Sequence, residues 1–231
     1  MIEANKCWLR ENCKQLHCDD IDGCMILFKL DYLYNEALVP IELRKKIELK
    51  LDADGTDYDA FLKLKDIQNN ILDFVKSGSQ LLIHSANCGN GKSSWSLRLL
   101  QSYFNKIWLK ADLRCKGLFI DVPTFLLSAK ANIKESNDYF NHIMDNAVNA
   151  DLVILDDIGT KNSTSFEHEH LFSIINNRIM NNKATIFTSN LTDIELQQAL
   201  GDRLASRICN SGINIWFDGG DKRHLREEMG N

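Results

Sequence analysis

The sequence predicts an α/β chain in which a parallel five-stranded sheet lies between helices. Three observations carry that expectation. Short runs rich in β-branched and large apolar residues recur at Gln80–His84, Gly117–Val122, Ala150–Leu155, Ala184–Ser189 and Ile213–Phe217. Stretches with apolar residues at helical intervals separate them. The strand runs are almost continuously apolar, as strands covered on both faces are, and such alternation implies right-handed crossovers between parallel neighbours. Ligands of such sheets collect at the carboxyl edge of the strands.

Bulk properties narrow the function classes. Among 231 residues, 44% are apolar and 26% charged, the balance of an ordinary globular protein. A net charge of -5 excludes a chain that coats nucleic acid through its overall field and leaves room only for a local contact. No window approaches the roughly 18 uninterrupted apolar residues of a membrane span, and the start at Met1–Lys6 lacks the build of a secretory signal. A cytoplasmic protein without a membrane partner is expected.

Along the chain, Cys7, Cys13, Cys18 and Cys24 fall close together near the start. Their thiolates suit a structural zinc, which would help a segment too short to bury its own core, while the cytoplasm disfavours disulfides. The spacing lacks Cys-x-x-Cys knuckles and His17 can substitute for Cys18, so a set of merely tolerated thiols is the competing reading. Met25–Leu38 has the pattern of a helix that Val39-Pro40 interrupts. The charged stretch Ile41–Tyr58, rich in aspartate at its end, reads as a connector. Asp59–Lys76 reads as one helix stopped by Ser77-Gly78-Ser79. The expected division is therefore a cysteine-rich unit over 1–40, a connector over 41–58 and a nucleotide-binding domain over 59–231.

The first strand leads into Ala86-Asn87-Cys88-Gly89-Asn90-Gly91-Lys92-Ser93 and then a helix. Strand, glycine-containing loop and helix form the context a phosphate loop requires. Gly89 and Gly91 let the backbone curl so that successive N–H groups face phosphate oxygens, and the helix start adds about half a positive charge. Asn87, Cys88, Gly89, Asn90, Gly91, Lys92, Ser93 and Ser94 are the candidate nucleotide-binding residues. Lys92 suits the β and γ phosphates, and the Ser93 hydroxyl suits a magnesium ion. Ala86 stands where a glycine is usual.

About sixty residues later, Asp151-Leu152-Val153-Ile154-Leu155-Asp156-Asp157 reads as an apolar strand that ends in two carboxylates, a Walker B pattern. Asp156 is the candidate magnesium ligand and Asp157 the group that orients the attacking water. Asn190, at the end of Ala184–Ser189, can position water at the same edge. Arg203 and Arg207 lie four residues apart on one face of a short helix.

In this order, with Asp156-Asp157-Ile158-Gly159 after the second motif and Thr188-Ser189-Asn190-Leu191-Thr192 at the third, the elements resemble AAA+ ATPases of the DnaC/DnaI helicase-loader group and their IstB relatives. The resemblance spans roughly residues 75 to 225 and includes Leu171–Arg178 and Gly201–Arg207. It implies ATP with magnesium as cofactors, hydrolysis that is slow or partner-stimulated because Asp157 stands where glutamate is common, and Asn190 as sensor 1. It also implies Arg207 as an arginine finger for a neighbouring copy, Arg203 in support and Arg223 as sensor 2. Few residues follow Arg223, so no C-terminal lid domain is expected.

The partners implied are a DnaB-type replicative helicase, gripped through the N-terminal unit, and single-stranded DNA near Pro123–Lys130, where Lys130 and Lys134 can meet phosphates. The competing reading there is an ordinary amphipathic helix with Phe125, Leu126 and Leu127 as core and lysines on its surface, so that no individual DNA-binding residue is assigned. Two alternatives stay open: a transposition helper ATPase of the IstB type, and a nucleotide-binding adaptor that never hydrolyses ATP.

Overall fold

The computed structural model describes residues 7–9, 13, 24–45, 47, 49, 55–159, 165–210 and 212–222, with only the backbone described over 165–168. Five parallel strands, β1 (Gln80–His84), β2 (Gly117–Asp121), β3 (Leu152–Asp156), β4 (Ala184–Ser189) and β5 (Ile213–Trp216), form one sheet in the order β2-β3-β4-β1-β5. This is the predicted α/β class, with a parallel five-stranded sheet.

Side-chain alternation divides the core into two layers. Leu81 and Ile83 of β1, Leu152 and Ile154 of β3, and Ala184 and Ile186 of β4 face one layer. Leu82, Val153, Leu155 and Phe187 face the other. The first layer is covered by α1 (Met25–Glu36), α2 (Tyr58–Asn69), α3 (Ile71–Lys76) and α4 (Lys92–Ile107). The second is covered by α5 (Val122–Asn132), α6 (Asp138–Asn146), α7 (Ser165–Met180), α8 (Asp193–Leu200) and α9 (Asp202–Cys209). Strands with both faces buried need apolar residues in both alternating sets, which is why they read as unbroken runs.

Several boundaries differ from expectation for local reasons. The helix expected over Asp59–Lys76 breaks at Asn70, whose side-chain amide donates to the Asp66 carbonyl at 3.2 Å and to its carboxylate at 3.0 Å. Asparagine offers the backbone an alternative to the helical ladder, and the chain restarts at Ile71. β3 begins at Leu152, not Ala150, because the Ala150 N–H still bonds back to the Asn146 carbonyl at 2.9 Å. Asp156 therefore lies within the strand.

Helix α1 is shorter than its apolar pattern suggested. It ends at Glu36, and Leu38 turns left-handed with φ 59°. Leu30, Leu33 and Tyr34 are buried in the first layer, where the Tyr34 ring meets Phe104 edge-on at 5.1 Å. The carbonyl of Ala37 accepts from Phe119 N–H at 2.9 Å and so satisfies part of the edge strand β2. Cys7 and Cys13 pack partly buried against this layer, and Cys24 sits at the start of α1. Cys18 and His17 lie outside the described residues, and among the described residues no group of three or more potential ligands is placed to hold a metal.

One buried charge ties the far end of the sheet. Arg178 of α7 is fully buried and donates to the carbonyls of Ala147, Ala150 and Ala184 and to the Thr185 hydroxyl. Burial draws its pKa down to about 9. The planar fork lets one side chain satisfy acceptors from the α6 exit and from β4 together. Among the described residues no helix is long and apolar enough to cross a membrane.

Candidate nucleotide site

The carboxyl ends of β1, β3 and β4 meet at one edge of the sheet. His84 pairs in register with Ser189, and the Ser85 N–H donates to the Ser189 carbonyl at 3.2 Å. The loop from Ser85 to Gly91 leaves this edge and turns into α4. Gly89 and Gly91 have φ 75° and 101°, left-handed values that glycine adopts without cost. Gly91 stands at the N-cap of α4 and offers no side chain to its first turn, where the N–H groups of a helix start face outward.

Lys92 is 6% exposed and lies over the loop, donating to the Asn87 carbonyl at 2.7 Å and the Asn90 side-chain oxygen at 3.0 Å. Asn90 donates in turn to the Ser85 hydroxyl at 2.7 Å, which bridges the loop internally. Cys88 is exposed. Ser93, the next residue along α4, lies beside the Asp156 carboxylate, close enough for its hydroxyl to lower that group's pKa, and so brings the loop to β3.

Asp156 is 8% exposed. Burial raises its carboxyl above the usual carboxylate range, the hydroxyls of Thr188 and Ser93 draw it down, and the negative charges of Asp157 and Asp121 add to the rise. Asp121 lies opposite Asp156 in the β2–β3 register. A buried carboxylate beside a serine hydroxyl is a hard-oxygen pair of the kind magnesium takes, so the residues fit that ion.

Asp157 stands at the turn after β3 with φ 58°. Its N–H donates to the Thr188 hydroxyl at 2.9 Å, and its carboxylate accepts from the Asn190 amide at 2.7 Å. Lys92, Ser93, Asp156, Asp157 and Asn190, separate in the sequence, are thus brought to one edge.

Arg203 and Arg207 are elsewhere. Both guanidinium groups lie over the Phe172 ring of α7, at 5.3 and 5.0 Å from its centroid, and Arg207 also donates to Asn176 at 3.2 Å. Their contacts are on α7, and the structure does not join them to the phosphate loop of the same chain. Arg223 lies outside the described residues. The segment before it does reach the site: Asn87 donates to the carbonyls of Asp218 and Gly219 at 3.1 and 3.3 Å, and Lys222 N–H donates to the Gly89 carbonyl at 3.0 Å. A Cβ at Gly89 would lie 2.0 Å from the Asp221 carboxylate, so the closing segment packs directly on the loop at a residue whose positive φ already favours glycine.

Sequence reasoning missed three groups. The side chain of Asp57, read as part of a connector, is almost wholly buried; its carboxylate accepts from the N–H groups of Asp218 at 2.7 Å and Gly219 at 3.1 Å and pairs with Lys222 at 3.7 Å. Nothing in the aspartate-rich stretch distinguished it. Phe172 was marked only as one residue of Leu171–Arg178, with no role of its own. Thr188 carried a faint signal, a hydroxyl inside an apolar strand.

Comparison with known proteins finds chains of similar sequence and fold. The family described as IstB-like ATP binding protein matches residues 118–210. The replicative helicase loader DnaC of Escherichia coli K12 is 22% identical over 153 residues, 66% of this chain and 56% of that protein. The chain thus spans little more than half the length of this curated relative. Among solved structures, that of DnaI superposes with a TM-score of 0.61 at 19% identity, covering 82% of this chain and 100% of the other. The replication initiator DnaA bound to AMPPCP and single-stranded DNA superposes with a TM-score of 0.55 at 20% identity, covering 75% and 51%.

Proposed function

We propose that the chain carries a DnaC-like AAA+ P-loop core and binds and hydrolyses ATP to help place a ring-shaped replicative helicase on single-stranded DNA. The observation that carries the ATP reading is the chain of hydrogen bonds from Asp156 through Thr188 and Asp157 to Asn190, with Ser93 of the phosphate-loop helix beside Asp156 at its start. It links the start of the phosphate-loop helix to the second acid and to the sensor strand. The helicase and DNA reading is supported by likeness: one relative is a helicase loader, and one neighbour of the same fold holds a nucleotide analogue and single-stranded DNA.

In this reading the loop N–H groups and Lys92 bind the phosphates, and Ser94 follows at the helix start. Ser93 and Asp156 would hold magnesium, which when bound would neutralise phosphate charge. Asp157 orients the attacking water. Asn190 acts through Asp157, because its amide is directed at that carboxylate. Arg207, with Arg203 beside it, serves the nucleotide of a neighbouring copy, which would explain why α7 and not the chain's own loop holds both. Arg223 is the proposed basic partner at the end of the closing segment. The N-terminal unit, with Cys7, Cys13, Cys18 and Cys24 as its proposed zinc ligands, is the proposed helicase grip.

The test is binding of a fluorescent ATP analogue by the purified chain and by Lys92→Ala, followed by capture of the ring helicase with and without ATP. Equal analogue affinity for the two proteins would sink the ATP reading. Failure to retain the helicase under any nucleotide condition would sink the loader reading alone. The match to the IstB-like family favours a second reading, a transposition helper ATPase. Stimulation of turnover by duplex DNA with a transposase, and not by helicase with single strands, would select it.

A further inference from the structure

We infer that Thr188 is a positioning residue that sets both acids of the nucleotide site from the neighbouring strand. The inference rests on the ATP reading above. Thr188 is 2% exposed, on β4 beside β3, and belongs to neither acidic motif. Its hydroxyl donates to Oδ1 of Asp156 at 2.6 Å and accepts from the N–H of Asp157 at 2.9 Å. Its carbonyl accepts from Ile158 N–H at 2.9 Å.

A hydroxyl has one hydrogen, so these two bonds are not interchangeable. The hydrogen is committed to Asp156, which fixes the rotation of that carboxyl group in the sheet edge. A lone pair is committed to Asp157 N–H, which rewards the left-handed turn at φ 58° that an aspartate does not adopt freely. The consequence is a division of direction. Asp156 stays inside the strand beside Ser93, while Asp157 is turned so that its carboxylate meets Asn190. A valine would fill the same space in β4 and leave the strand pairing intact, yet it could make neither bond.

The experiment compares wild type, Thr188→Val and Thr188→Ser by ATP affinity in EDTA, ATP affinity in magnesium, and kcat and KM for hydrolysis. Thr188→Val should bind ATP in EDTA within about 2-fold of wild type, yet lose about 10-fold or more of the affinity that magnesium adds and about 10-fold or more of kcat, with KM in magnesium rising in step with the lost affinity. Thr188→Ser, which keeps the hydroxyl, should recover both.

Wild-type values for Thr188→Val overturn the proposal. So does a uniform loss in EDTA and magnesium alike that serine does not restore, because Thr188 would then be a brace for the fold. If wild type binds ATP but never turns it over, the magnesium ratio decides. If wild type binds no nucleotide, the ATP reading fails first and this one with it.

Discussion

The Asn190 amide donates to the Asp157 carboxylate at 2.7 Å, and this bond joins the end of β4 to the turn after β3. Asp157 is held there by its own N–H as well, so the residue has one anchor at its carboxylate and one at its left-handed backbone. Replacing Asn190 with alanine removes the anchor at the carboxylate only. The expected outcome is a kcat lower by about 10- to 100-fold with ATP affinity nearly unchanged. Steady-state kinetics beside equilibrium nucleotide binding separate the two quantities. A matching loss of affinity would show that Asn190 holds the ground state instead.

Asp156 should cost the empty protein stability. Its carboxyl is raised by burial, so the folded state holds a proton more firmly than the unfolded chain does. For an acid shifted in that direction, folding is penalised once the pH rises above the unfolded value, near about 3.9, and the penalty is complete above the folded value. Asp156→Asn should therefore melt about 2–4 °C higher than wild type at pH 7 without metal or nucleotide, with the gap closing as pH falls toward about 4. Thermal unfolding followed across that pH range checks the sign. A gap that widens in acid would contradict it.

Asp57 fastens the closing segment onto the phosphate loop. Alanine there leaves the N–H groups of Asp218 and Gly219 without their carboxylate and frees Lys222 from its ion pair. Hydrogen bonds to a buried charge are worth about 1.5–3 kcal/mol, and a loss of that order is expected in urea unfolding. Amide exchange at Gly219 should accelerate, and nucleotide affinity should drop because Asn87 bonds the same segment.

Arg178 is the residue whose loss the fold should tolerate least. Arg178→Met strands the carbonyls of Ala147, Ala150 and Ala184 and the Thr185 hydroxyl in the interior. A cost of about 3 kcal/mol or more is expected, measured by urea denaturation. Lysine should not rescue it, since one ammonium cannot reproduce a planar fork.

Truncating Phe172 to leucine keeps the packing volume of α7 but removes the ring under Arg203 and Arg207. Turnover that depends on self-association should fall about 3- to 10-fold while nucleotide binding holds, in keeping with a cation–π contact of about 1 kcal/mol. A protein-concentration series of ATPase activity is the measurement.

How much of this was legible beforehand follows from the range of the forces involved. Apolar alternation, glycines at positive φ and acids at strand ends are local requirements, written in neighbouring residues. They marked β1 and β4 to the residue, the phosphate loop and the acidic pair Asp156 and Asp157. Local competition also escaped notice: Asn70 breaks a helix by a side-chain bond that the apolar pattern does not register.

By itself, then, the sequence determined the class of sheet, the order of its motifs and the chemistry each could offer, because covalent neighbours and side-chain periodicity suffice for those. Only the tertiary structure decided that Thr188 governs both acids, that Asp57 clasps the segment after β5, and that Arg203 and Arg207 lie on Phe172. Each of these contacts joins residues far apart in the chain. A directional hydrogen bond or a ring under a cation exists only once the sheet order has set two distant side chains a few ångströms apart.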